Sequence, residues 1–184
     1  KDNYFIIPVK KFSHQQKIIE INISKNYDRE KMLRKFYNAY NKAPYFEETY
    51  KLLTEIIKFP SQNLSEYTFF SISTICKYLN IKTKILISSK INYNHKLKSE
   101  NKVIDICNSL NGTIYINPEG GKKIYKKENF KKFKLNLKFL YTEDFKYKQF
   151  DEKTFIPKLS IVDILMFNSK KKVKEIIDNN FVLT

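Results

Sequence analysis

The sequence predicts an α/β fold: a three-layer, Rossmann-like domain with a largely parallel sheet and an antiparallel edge, carrying a helical insertion in its first half. Three observations lead there. Residues 27–79 repeat apolar side chains at the three-and-four spacing of helices with one buried face. Residues 85–141 alternate short apolar runs with helical stretches in a β-α-β-α-β order, which lays parallel strands beneath crossover helices. The 184 residues, 42% hydrophobic and 29% charged, suffice for one core that hides roughly 70% of the unfolded surface, so residues 1–184 read as a single domain.

In chain order, residues 3–10 and 17–23 are rich in isoleucine and are separated by a polar stretch, which predicts a strand pair at one sheet edge. Residues 27–40 place Met32, Leu33, Phe36, Tyr37 and Tyr40 on one helical face. Pro44 marks the next start, and residues 45–58 repeat the period through Phe46, Tyr50, Leu53, Ile56 and Ile57 until Phe59-Pro60 stops the helix. A third helix over 63–79 takes Asn63 or Ser65 as N-cap and turns Phe69, Ile72, Ser73, Cys76 and Leu79 inward. Then come a strand at 85–87, a helix at 102–110, a strand at 112–116, a helix at 124–133 and a strand at 135–141. Two closing helices span 157–167 and 170–179, and there is no internal repeat, linker or low-complexity segment.

Bulk properties narrow the class. Mean hydropathy is −0.51, and no apolar run approaches the ~20 residues a bilayer requires, so no membrane span is expected. Cys76 and Cys107 stand 31 residues apart in helical stretches, the spacing of neither a metal knuckle nor a disulfide framework. They read as reduced, buried and inert, which fits a cytoplasmic protein. The formal charge is +16, which raises nucleic acid, an anionic membrane or an acidic substrate as partner. Only Arg29 and Arg34 among the 35 basic residues are arginines, and the lysines are spread along the chain with short clusters at 122–127, 131–134 and 170–174. Planar bidentate readout of bases favours arginine, so specific nucleic-acid recognition is the minority reading.

Chemistry could sit at few places. Gly120 and Gly121 are adjacent after an expected strand, and two of only three glycines; they allow positive φ and close backbone approach, and the amides of a following helix would suit phosphate or carboxylate. A plain tight turn explains them equally. Ser88 and Ser89 at the end of the preceding strand, with Asn117, could line the same crevice beyond the strands' carboxyl ends, although a polar loop exit accounts for the serines too. Asp163 sits among Leu159, Ile161, Val162, Ile164, Leu165 and Phe167, where an ionised carboxylate is costly unless it is hydrogen-bonded or faces a site. It is a candidate catalytic residue, or else it makes a capping interaction near Ser160 or sits on the helix's solvent stripe. His14 and His95 lie in polar loops, Asn168 would cap a helix end, and Asp105, Glu119, Glu143 and Asp144 read as solvated carboxylates. None forms a metal-ligand spacing, and the cofactor, if any, is left unknown by the sequence.

Several segments, taken in order, resemble the WbqC-like family. They are Ile7-Pro8-Val9, Tyr40-Asn41-Lys42-Ala43-Pro44-Tyr45-Phe46, and Leu79-Asn80-Ile81 leading to Ser88-Ser89. Next come Ile104-Asp105-Ile106-Cys107 and Tyr115-Ile116-Asn117-Pro118 with Gly120-Gly121-Lys122. Tyr147-Lys148-Gln149, Phe155-Ile156-Pro157 and Leu159-Ser160-Ile161-Val162-Asp163 with Phe167-Asn168 look like the family's closing block. Members share an N-terminal Gln-Pro and aromatic-Pro pattern absent here, and the start at Lys1 without methionine reads as a chain lacking an upstream segment. The resemblance implies a role in bacterial surface-polysaccharide biosynthesis, of O-antigen or capsule, with a small-molecule ligand such as a nucleotide sugar or acyl donor. Three functions stay open: an enzyme transferring an acyl or aminoacyl group to an amino sugar, a noncatalytic partner in a glycan assembly complex, and a basic nucleic-acid binder.

Overall fold

The computed structural model describes residues 4–151 and 154–184. The chain divides into two compact units, one of residues up to Thr83 with Lys146–Ile176 and one of Lys84–Phe145 with Ile177–Thr184.

The first unit is helical. Asp28 caps α1 (Arg29–Tyr40) by accepting the Lys31 N–H at 2.8 Å, and Met32, Leu33 and Phe36 form its buried stripe. In α2 (Phe46–Ile57), Phe46, Leu53 and Ile57 face one core while Leu52 and Ile56 face a second, so this helix joins the two. Each such side chain contributes roughly 1.5–3 kcal/mol on full burial. Asn63 caps α3 (Leu64–Tyr78), as the sequence reading allows, by accepting the Glu66 N–H at 3.1 Å. The far end of α3 closes through left-handed Asn80 (φ 56°), with Asn80 N–H bonded to Lys77 O and Ile81 N–H to Cys76 O.

One face of α3 differs from expectation. Phe69 and Ile72 are 37% and 47% exposed, while Tyr67 is the buried aromatic. The helix is apolar almost all round, so periodicity alone does not select the packed face. Cys76 on α3 is half-buried rather than buried, as is Cys107 in the second unit.

The expected strand pair at 3–10 and 17–23 is replaced by extended chain with single antiparallel bridges, Val9 to Ile23 and Asn22 to Asn63; Asn3 lies outside the described residues. Pro8 has no N–H for a ladder, and Ile18–Glu20 form a 3₁₀ turn in which Glu20 accepts the Lys17 N–H at 2.8 Å.

The last turn of α6 (Ile161–Phe167) is anchored from α2. The buried Thr49 hydroxyl donates to Leu165 O at 3.1 Å and the Tyr45 N–H to Met166 O at 3.1 Å, satisfying carbonyls that a helix end leaves unpaired. This fixes the position of Asp163 in the first turn of α6. The final helix, α7 (Lys170–Asn179), has the bounds read from the sequence and buries Val173 and Ile176.

The second unit holds a small mixed sheet. After α4 (Ser99–Ser109), β1 (Ile114–Pro118) pairs in parallel with β2 (Asn136–Thr142), and α5 (Lys127–Lys131) lies between them in sequence. β3 (Phe181–Leu183) pairs antiparallel with β2, giving the order β1-β2-β3. The antiparallel edge therefore comes from the C-terminal residues rather than from the first ones. Ile104 of α4 and Phe130 of α5 cover Leu137 and Phe139, with Tyr115 stacked on Phe130 at 5.4 Å. Two expectations change here. Residues 85–87 are extended without a strand partner among the described residues, because Leu86 faces solvent (43% exposed) and gains nothing from burial. The helix expected at 124–133 shrinks to α5 because a 3₁₀ turn, Glu119–Lys123, precedes it and the Lys126 N–H bonds to Glu100 at 2.9 Å. The outcome is a mixed α/β protein of seven helices and three strands among the described residues.

Candidate functional site

Asp163 is 5% exposed, one of two buried polar residues of the chain among those described. It is not the cap of α6, since the Ser160 hydroxyl does that by accepting the Val162 N–H at 3.2 Å. Instead its carboxylate gathers donors from distant segments. The Tyr40 hydroxyl, at the last residue of α1, donates to Oδ1 at 2.9 Å. The Tyr147 hydroxyl and the Gln149 amide donate to Oδ2 at 2.6 and 3.0 Å. Gln149 is itself locked, its Oε1 accepting the Ile156 N–H at 2.9 Å and its Nε2 reaching Ile156 O at 3.1 Å.

An ionised carboxylate offers about four lone pairs. Among the described residues one is taken on Oδ1 and two on Oδ2, which leaves one acceptor position on Oδ1. Asp163 lies on the wall of a cleft of about 580 Å³, together with Phe5, Lys35, Tyr40, Phe150 and Phe167. Phe150 meets Phe167 edge-on at 4.8 Å and Tyr147 meets Phe155 edge-on at 5.3 Å, so aromatic rings surround the carboxylate. Burial, and then the adjacent Asp163 charge and hydrogen bond, hold the Tyr40 phenol well above its ordinary range. Burial followed by the Asp163 hydrogen bond does the same to Tyr147. Both phenols thus remain donors to Asp163 throughout the physiological range. The arrangement can present one oriented acceptor to an ammonium or hydroxyl group in a cleft with aromatic walls.

The other sequence-derived candidates belong to the second unit. Ser88 and Ser89 are exposed on a 3₁₀ turn, Ser88–Lys90, and no hydrogen bond among the described residues joins them to Asn117. Asn117 and Gly121 do come together: the Asn117 amide lies where a Cβ on Gly121 would be, and its Nδ2 donates to the Tyr115 hydroxyl at 2.7 Å. Gly121 is therefore required for close approach, not for positive φ, which no glycine adopts among the described residues. Gly120 is exposed with open space around it. Asp105 accepts the Asn94 N–H at 2.7 Å, His95 packs on Tyr93 and Asn168 caps α6. Among the described residues no three His, Cys, Asp or Glu side chains gather to hold a metal ion, and no helix is long and apolar enough to cross a membrane.

Tyr40, Tyr147 and Gln149 were not legible as site residues from the sequence. The usable signal was indirect: a buried aspartate requires donors, and all three lie in segments that carry the family resemblance.

Fold and site together define a mixed α/β protein whose helical unit holds a buried carboxylate between two phenols and an amide. The chain belongs to the WbqC-like protein family, whose profile matches residues 1–175. No curated protein and no solved structure matches it.

Proposed function

We propose that the protein acts in bacterial surface-polysaccharide biosynthesis as an enzyme that transfers an acyl or aminoacyl group to an amino sugar, with Asp163 holding the acceptor's amine. The observation that carries this reading is the remaining acceptor position on Asp163 Oδ1, at the wall of a cleft with aromatic sides. An amino sugar fits that chemistry, with its ammonium or hydroxyls on the carboxylate and its apolar ring face on the aromatic walls. Lys35 on the same wall suits the phosphates of a nucleotide-sugar acceptor. In the transfer, the ammonium first loses one proton to water; the neutral amine nitrogen then bonds to the acyl carbonyl carbon as the carbonyl's bond to its leaving group breaks. The second proton lost from nitrogen leaves with that group. Family membership supports the polysaccharide setting, and the basic surface suits anionic substrates.

A titration of nucleotide-linked amino sugars against wild type and Asp163→Asn tests the reading, because Asn keeps the shape and removes the charged acceptor. Binding by wild type and at least tenfold weaker binding by the variant is expected; equal binding overturns it.

A second reading, a noncatalytic partner of a glycan assembly complex, draws on one observation. Ile114 and Ile116 on edge strand β1 are 51% and 46% exposed. Substituting both with lysine would abolish a stable complex with the glycan-assembly proteins if that surface is the contact, and would leave amino-sugar binding unchanged.

A further inference from the structure

A second cleft in the same unit, of about 590 Å³, abuts the first across Phe5, Tyr40, Ile156 and Leu159. Its volume falls within the range of small-molecule sites, and its floor is apolar, formed by buried Met32, Phe36, Leu53 and Ile57. Two polar groups break that floor. Tyr27 and Tyr67 are 7% and 4% exposed, and their hydroxyls face each other at 3.5 Å with no other hydrogen bond among the described residues. Each phenol carries one O–H, and their mutual contact uses at most one of the two protons. One buried donor is therefore left over on the wall of an apolar cleft, a state that costs about 1–3 kcal/mol when nothing accepts from it. The nearby charge is positive: the Arg29 guanidinium lies 5.1 Å from the Tyr27 ring centroid, and its buried Nε has no partner among the described residues. Burial first, and then the Tyr27 hydrogen bond, push the Tyr67 phenol upward against the pull of Arg29, so its proton stays available for donation.

We infer that this cleft binds an aliphatic acyl group, its chain along the Met32, Phe36 and Leu53 floor and its carbonyl or carboxylate oxygen accepting from the Tyr27–Tyr67 pair. The apolar floor selects the chain, the surplus O–H selects an acceptor at its head, and Arg29 disfavours a cationic head. A free acid and an acyl thioester share this chemistry. The inference goes beyond the Asp163 reading and involves neither Asp163 nor a sugar, so a failed amino-sugar titration leaves it standing.

Equilibrium dialysis of the full chain against decanoate, S-decanoyl pantetheine, decylammonium and acetate tests it. Decanoate or the thioester is expected to bind at least tenfold more tightly than decylammonium or acetate, and whichever of the two binds more tightly identifies the source. The double variant Tyr27→Phe/Tyr67→Phe removes both hydroxyls at constant shape, a near-neutral change for folding. It should lower affinity about tenfold, while either single variant changes it less than threefold, because the remaining phenol donates in its partner's place. Ser71→Leu, which narrows the cleft from α3, should lower chain binding without touching the hydroxyls. Equal binding of decanoate and decylammonium, no binding of either acyl probe, or a double variant that binds like wild type would overturn the inference.

Discussion

The Tyr40 hydroxyl meets Asp163 Oδ1 at 2.9 Å across 123 residues of sequence, joining the end of α1 to the start of α6. With Tyr147 and Gln149 on Oδ2, the contact makes Asp163 a junction of three segments as well as a candidate ligand. Structure and function can be separated there by substitution.

Asp163→Asn should fold. The Asn amide NH₂ can take the Oδ1 position and donate to the Tyr40 oxygen, since a phenol also accepts, while the Asn oxygen receives Tyr147 and Gln149. The charge assistance is lost and the Tyr40 O–H must turn toward the cleft for an acceptor, together about 1–2 kcal/mol. Asp163→Ala strands three neutral donors and should cost about 3 kcal/mol or more, at roughly 1 kcal/mol or more for each. Urea unfolding of both variants checks the ranking; a loss for Asn as large as for Ala would mean that the Asn cannot reorient.

Alkaline pH provides a second handle. The phenols of Tyr40, Tyr67 and Tyr147 are all raised in the folded chain, chiefly by burial, from an ordinary value of 10.0. A raised folded value means that, above about pH 10, the unfolded chain releases protons the folded chain keeps. Their stabilising contribution is complete below that point and is lost as pH climbs toward the folded values. Urea midpoints should fall above about pH 10, and less steeply in Tyr40→Phe/Tyr147→Phe. Tyrosinate absorbance of the folded protein should show a subset of the 13 tyrosines titrating late.

What the sequence made legible was local. The bounds of α7, the Asn63 cap and the breaks at Pro44 and Pro60 follow from side chains acting within a turn or two of the backbone they control. Asp163 stood out because an acid in an apolar run is a local anomaly. Strand pairing is non-local: the run at 85–87 has the composition of a strand but no partner among the described residues, and β3 was not anticipated because a three-residue edge strand carries almost no pattern. Tyr40 and Tyr147 look like ordinary core aromatics until the fold brings them to one carboxylate.

Asn80 and Asn111 test the helix ends. Each holds left-handed φ, 56° and 53°, with the following N–H reaching back to Cys76 O and Cys107 O. Asn tolerates this region better than other non-glycine residues, so Asn80→Ala should lose about 1 kcal/mol while Asn80→Gly should be neutral or slightly stabilising. Thermal unfolding distinguishes them, and equal loss in both would mean that the Asn side chain, not its backbone, closes α3.

The adjacent glycines should behave in opposite ways. A Cβ on Gly121 would run into the Asn117 side chain and come within 3.2 Å of the Tyr125 ring, whereas a Cβ on Gly120 meets nothing within 4 Å. Gly120→Ala, at a φ that is not positive, should therefore be neutral or stabilise by up to about 1 kcal/mol through the unfolded chain. Gly121→Ala should destabilise by about 1–3 kcal/mol, the usual cost of overpacking. Asn117→Ala in the same chain should recover part of that loss by removing the colliding amide, leaving only the Tyr125 contact to relax. If Gly121→Ala is costly and Asn117→Ala does not relieve it, the backbone of the 3₁₀ turn rather than the Asn117 side chain sets the requirement for glycine.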